Sequence, residues 1–150
     1  MLSLLSSLLF GQNKGIKFID ELLTGWHNSA SIADADSYFS LMENDAIFLG
    51  TDATERWTKA DFVKWATPYF YEGKGWNIYA VKRDIYLSPD EKFSWFDEEL
   101  VTEMGPARGS GVFVKTKDGW KLKQYNLSLT IPNGLIDTIK LIVEERLKRK

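Results

Sequence analysis

Beyond residue 75 the apolar residues of this 150-residue chain change their period, and that change constrains the fold more than any other feature. Up to Phe70 they recur at steps of three and four, the spacing of one helical face: Ile16, Ile19, Leu22, Leu23, Trp26 and Ala30 first, then Phe62, Trp65, Ala66, Tyr69 and Phe70. From Trp76 the rhythm is that of strands. Trp76–Val81 leads into Ile85–Leu87 and a Ser88-Pro89-Asp90 turn; Lys92–Met104 and Gly109–Thr116 follow. Lys117-Asp118-Gly119 reads as a hairpin turn, and Trp120–Ile131 as a last long strand. Segments joined by such short turns pair antiparallel.

Helices followed by long antiparallel strands specify an α+β domain, in which a curved antiparallel sheet wraps around N-terminal helices. A first helix is expected from Ile16, weakened at Gly25, with a second piece over Ala33–Met42. Ala46–Leu49 and Glu55–Trp57 read as short strands. Thr58-Lys59-Ala60-Asp61 has the form of a capping box opening a further helix, which Pro68 should kink or end. After Pro132-Asn133-Gly134, the residues Leu135, Ile139, Ile142, Val143 and Leu147 form a terminal helical stripe, with Arg146, Lys148, Arg149 and Lys150 at its negative dipole end. The expected organisation is an apolar arm at 1–15, a domain at 16–133 and a C-terminal helix at 134–150. Residues Met1–Asn13 carry no charged side chain and are too short to span a bilayer. They read as a packed arm of a cytoplasmic protein, or, if Met1–Gln12 is a truncated signal peptide, as the trace of export.

Composition removes several chemistries. With no cysteine and a single histidine, thiol nucleophiles, disulfides, iron–sulfur clusters and an ordinary Cys/His zinc site are excluded within one chain. A formal charge of -2 argues against a dedicated nucleic-acid partner. Aromatic residues reach 14%, more than helix packing needs, and would line the interior of a cone with an open mouth.

Trp26-His27, Phe48–Asp52 with Glu55-Arg56-Trp57, Trp95–Glu98, Arg108–Val112 and Trp120-Lys121 to Gln124–Leu127 occur together and in this order. With these motifs the chain resembles the SnoaL-like branch of the nuclear transport factor 2-like superfamily over roughly Ile16 to Asn133. The resemblance implies a cystatin-like α+β cone, a cavity between sheet and helices, and a homodimer formed through the sheet. It spans isomerase-like, dehydratase and cyclase enzymes as well as association domains, so it names no activity.

His27, next to Trp26 and bordering the apolar stripe, is the one side chain that titrates near neutrality without help. Glu55 and Trp57 share one side of their short strand, near Asp52. On the strand beginning at Lys92, Trp95, Asp97 and Glu99 face one way and Phe96, Glu98 and Leu100 the other. One carboxylate, Asp97 or Glu98, must therefore point inward, with Arg108 as the expected partner. On the last strand strict alternation places Gln124 and Asn126 on the face of Trp120 and Leu122, suggesting a wet cavity or a polar dimer seam. The candidate catalytic residues are His27, Glu55 and Asp97; the candidate cavity residues are Trp26, His27, Asp52, Glu55, Trp57, Trp95, Asp97, Glu98, Arg108, Gln124 and Asn126. No spacing supports a metal site, and no cofactor is expected. The leading expectation is a domain that binds a small, largely apolar molecule in an aromatic cavity. The alternatives are a cofactor-independent isomerase, dehydratase or hydrolase using His27 or a buried carboxylate, and an association module without ligand.

Overall fold

The computed structural model describes residues 2–149, with side chains from residue 13 onward. The side chains of the apolar arm, through residue 12, lie outside the described residues. The chain forms helix α1 (Leu2–Ser31), helix α2 (Ala35–Ser40), strands β1 (Met42–Leu49) and β2 (Arg56–Thr58), and helix α3 (Lys59–Tyr71). Strands β3 (Ile78–Leu87), β4 (Phe93–Thr102), β5 (Gly105–Thr116) and β6 (Gly119–Leu129) follow, then a single 3₁₀ turn (Asn133–Leu135) and helix α4 (Ile136–Lys148). The expected α+β architecture is the one observed: a curved six-stranded sheet, N-terminal helices and a C-terminal helix.

The sheet order is β2-β1-β6-β5-β4-β3, so the β3-to-β6 meander is extended at one end by the two short early strands. All pairings are antiparallel except β1 with β6. The helices are started by local chemistry. Asp34 accepts from the Ser37 amide at 3.0 Å ahead of α2, and Thr58 accepts from the Asp61 amide at 3.2 Å ahead of α3. Two helical expectations are corrected. Helix α1 begins at Leu2 rather than near Ile16 and passes through Gly25 without a break, because Ile19, Leu23, Trp26 and Ala30 pack one continuous face on the sheet. Pro68 does not end α3, which runs three residues further. Its missing amide removes the bond to the Lys64 carbonyl, yet the helix goes on, and the Glu72 amide donates back to the Pro68 carbonyl at 3.1 Å.

Two β-bulges determine which side chains face inward. In β3 the register slips between Ala80 and Lys82, and Val81 and Lys82 are both exposed. The extra residue reverses the alternation, turning Arg83 to the side that strict alternation would give to Lys82. In β6 the register slips opposite Val112 and Phe113. Leu122 and Tyr125 are both buried, and Lys123 and Gln124 lie between them.

The core is one cluster in which Ile19, Leu23 and Trp26 of α1 meet Phe96 and Leu100 of β4, Phe113 of β5, and Leu122 and Tyr125 of β6. Helix α4 takes no part. None of its residues is buried, and Leu141, Ile142, Val143 and Leu147 are all exposed.

Candidate functional site

Between the N-terminal helices and the concave face of the sheet lies a cavity of about 190 Å³. Trp26 and Ala30 of α1, Tyr38 of α2, Phe48 of β1, Phe62 and Trp65 of α3, and Tyr125 and Leu127 of β6 form its apolar wall. The rim comes from three connections: Gly50, Thr51 and Glu55 after β1, Trp76 and Asn77 before β3, and Glu103 and Met104 between β4 and β5. Trp65 at 39% and Met104 at 55% exposure mark where this cavity meets solvent.

His27 belongs to the wall, and behind it stands a buried polar cluster. Glu98 is 1% exposed, a position a carboxylate occupies only with partners. Its Oε1 lies 2.8 Å from Nε2 of His27 and accepts from the Tyr125 hydroxyl at 2.8 Å; its Oε2 accepts from Nε of Arg83 at 2.8 Å. Arg83 in turn donates to the backbone carbonyl of Asp20 at 3.1 Å and pairs with the Asp20 carboxylate and Thr24 Oγ1. α1, β3, β4 and β6 thus converge on a single carboxylate.

Burial by itself would raise the Glu98 carboxyl, but the hydrogen bond and charge of His27, and then the charge and hydrogen bond of Arg83, outweigh it and hold the group below its ordinary 4.5. Glu98 is therefore ionised at neutral pH. The Tyr125 hydroxyl is pushed well above its ordinary value of 10 by burial and then by the neighbouring Glu98 charge, so it remains a donor. An ionised Glu98 also sets the imidazole tautomer. Whenever the ring carries a single hydrogen, that hydrogen sits on Nε2 and points at Oε1, which leaves the lone pair on Nδ1. Nδ1 has no partner among the described residues. His27 lines this cavity and also the groove between α1 and β3.

The sequence-predicted residues divide sharply. Trp26, His27, Glu55 and Trp57 are brought together around the cavity. Glu98 lies directly behind them and is the inward carboxylate of its strand. Asp97 is exposed on the outer face, opposite Asp84 and Ser110. Asp52 lies in the exposed loop after β1. Its carboxylate accepts from the Thr54 amide at 2.8 Å, while its own amide donates to Glu55 Oε2 at 3.2 Å and so fixes the Glu55 side chain at the rim. Trp95 is on the outer face, stacked on Tyr86 with centroids 5.6 Å apart. Gln124 is exposed and Asn126 half-buried, and neither reaches the cavity, because the β6 bulge gives the inward positions to Tyr125 and Leu127.

The Arg108 pairing is corrected. Arg108 is exposed and opposite Glu99 in the ladder, and the cation that meets Glu98 is Arg83, its register partner across β3 and β4. Sequence reasoning also missed Tyr125, for the parallel reason in β6. Two glycines of β5 make room for neighbouring side chains, and Gly109 does so for this cluster. A Cβ on Gly109 would sit 2.3 Å from the Tyr125 hydroxyl and 2.7 Å from Glu98 Oε1, and one on Gly111 would sit 2.8 Å from the Phe96 ring. Among the described residues no group of His, Asp and Glu is arranged to hold a metal ion, and no helix is long and apolar enough to cross a membrane.

A curved sheet closed by helices over a cavity, with a buried ion-paired carboxylate behind its wall, defines an α+β cone of the nuclear transport factor 2-like kind. The SnoaL-like domain family matches residues 19–132, and the chain belongs to it. No curated protein matches the chain. Several solved structures share the fold. A nuclear transport factor 2-like protein of unknown function from Pseudomonas putida is 8% identical, with a TM-score of 0.68 over 81% of this chain and 90% of its own. A candidate dehydratase of the same family from Streptomyces avermitilis is 11% identical, with a TM-score of 0.67 over 80% and 99%. A candidate scytalone dehydratase from Novosphingobium aromaticivorans is 13% identical, with a TM-score of 0.63 over 75% and 82%. At these identities the likeness is one of fold.

Proposed function

We propose that the protein binds a small, largely apolar molecule in the cavity between α1, α3 and the sheet. The observation that carries this is the cavity itself. The surrounding aromatic rings leave about 190 Å³ open to solvent at a polar rim, where an association module would fill the space with its own side chains. An apolar void of roughly 150 Å³ is enough to take up benzene, so a one-ring compound fits. The test is titration with one- and two-ring aromatic compounds, followed by tryptophan fluorescence, since four tryptophans line the cavity. Saturable quenching by at least one compound is expected, and no response across the series would end the proposal.

A second reading is supported by the His27–Glu98 pair. An imidazole in a cavity wall, with its tautomer set by a buried carboxylate behind it, is arranged to take a proton from a bound molecule on its other ring nitrogen and return it. Tyr125 and Arg83 would steady Glu98 while the imidazolium exists. In this reading His27 is the acid/base of a cofactor-independent isomerase, dehydratase or hydrolase. Glu55 is the rim carboxylate near its substrate, and exposed Asp97 has no part. The solved relatives named as candidate dehydratases make that reaction the first to assay. Turnover that disappears in His27→Ala while ligand binding persists is the expected result; turnover that survives the substitution would refute it.

The outer sheet face is proposed as the homodimer surface. Tyr86 and Trp95 stack there in the open, with Phe93 and Val101 on the same strand as Trp95, and Arg108 lies across from Glu99. Trp95→Glu should convert a sedimenting dimer to monomer; a wild-type monomer at high concentration would remove the proposal.

A further inference from the structure

Apart from His27, which is paired with Glu98, the charged side chains around the cavity are all carboxylates. Glu55 and Glu103 line the rim, no lysine or arginine lines the cavity, and neither glutamate has an ion-pair partner among the described residues. Glu55 is held in place by a backbone amide rather than by a cation. The positive charge nearest the wall, Arg83, is already matched by Glu98 and Asp20. Arg83 is therefore compensated where it stands behind the wall.

The aromatic lining has a bias of the same kind. Four of the chain's six tryptophans, Trp26, Trp57, Trp65 and Trp76, line this one cavity. Trp65 sits at the mouth between the other two rim indoles, 5.8 Å from Trp57 and 5.9 Å from Trp76 between centroids, with the planes within 23°. Indole is the best of the side-chain rings at attracting a cation to its face, and a site of indoles and carboxylates without a fixed cation is how alkylated ammonium groups are recognised. A neutral apolar ligand would need only the rings, and an anion would be repelled by both glutamates.

We infer that the ligand is an organic cation, a flat apolar body carrying an alkylated ammonium group. The body fills the space bounded by Tyr38, Phe48 and Phe62, and the ammonium group sits at the rim among Trp57, Trp65, Trp76, Glu55 and Glu103. This rests on reading the cavity as a ligand site, and the two statements fail differently.

Phenyltrimethylammonium and tert-butylbenzene have the same shape and differ only in charge. Both are titrated against the intact protein at low salt, followed by tryptophan fluorescence. The cation is expected to bind at least about tenfold more tightly. The ratio should fall severalfold in a Glu55→Gln/Glu103→Gln double variant, whose substituted side chains lie at the rim and outside the core, the remainder being the share of the indoles. It should also fall in the wild type as salt is raised, since rim charges are screened. Equal affinity, or preference for tert-butylbenzene, overturns the cation assignment and leaves the apolar cavity standing. A preference undiminished in the double variant and unchanged by salt overturns it as well. If neither compound binds, while larger neutral aromatics do, the cation assignment alone falls; if nothing binds, both statements fall together.

Discussion

Glu98 and Gly109 stand opposite one another in the ladder between β4 and β5, and the missing side chain of Gly109 admits the Glu98 carboxylate and the Tyr125 hydroxyl that donates to it. Gly109→Ala forces a methyl group to within 2.3 Å of that hydroxyl. Overpacking of this kind costs about 1–3 kcal/mol, and here it also disturbs a buried ionic hydrogen bond. Gly25 is the contrast. It sits inside α1 where a side chain would meet no neighbouring atom within 4 Å, so Gly25→Ala should stabilise by about 0.5–1 kcal/mol. Urea unfolding of the two variants is expected to move in opposite directions, and a neutral Gly109→Ala would show that the cluster has room to spare.

Removing the carboxylate itself should be more damaging. Glu98→Ala leaves the Arg83 guanidinium, 7% exposed, facing a gap, and deprives His27 and Tyr125 of their shared acceptor. Breaking a buried pair from one side costs about 3–5 kcal/mol. Glu98→Gln keeps the shape and one acceptor oxygen and should lose less. The ordering wild type, Gln, Ala in chemical denaturation is the expected result; an Ala variant as stable as wild type would mean the pair contributes nothing net.

The same carboxylate sets an acid limb. Its folded value lies below its ordinary 4.5, so the unfolded chain binds a proton more readily than the folded one as the pH falls. The stabilisation from Glu98 is complete above about pH 4.5 and is lost progressively below it, by at most about 1.4 kcal/mol per pH unit for one group. Urea midpoints measured from neutrality downward should therefore fall more steeply in wild type than in Glu98→Gln. Parallel curves would place the acid sensitivity elsewhere, with Asp34, Asp45 and Asp90, each also lowered, as the first candidates.

What was legible in the sequence and what was not have one physical boundary. Period and turn chemistry carry the elements: the capping at Thr58, the hairpin at Asp118-Gly119 and the alternation along β4, which puts Trp95 with Asp97 and Phe96 with Glu98 on opposite faces without saying which pair faces inward. Those signals are local. The partners of Glu98 are not, because Arg83 and Tyr125 each lie just past a bulge, where one added residue reverses the two-residue alternation. Strict alternation therefore assigned Gln124 and Asn126 to the interior and left Arg83 unconsidered. A bulge leaves little trace in a single sequence, although Val81-Lys82 and Lys123-Gln124, each a pair that ends up exposed or half-exposed, mark the two places here. His27 and Glu98 are 71 residues apart, a distance no motif spans.

Helix α4 supplies the last prediction. Its thirteen residues bury nothing, and a helix of that length without tertiary support is marginal in water. Its apolar side chains, Leu141 and Leu147 among them, lie open to solvent. In the isolated protein the α4 amides should exchange with deuterium far sooner than those of α1 between Ile19 and Ala30, which pack on the sheet. Ile142→Ser, on a residue 57% exposed, should change the unfolding free energy by less than about 0.5 kcal/mol. Exchange and mutation test the same statement independently. Slow α4 exchange together with a large Ile142→Ser effect would mean that another surface covers the stripe in solution. Repeating both measurements over a range of protein concentrations would then show whether that surface belongs to a second copy of the chain, because only a self-association would make the protection rise with concentration.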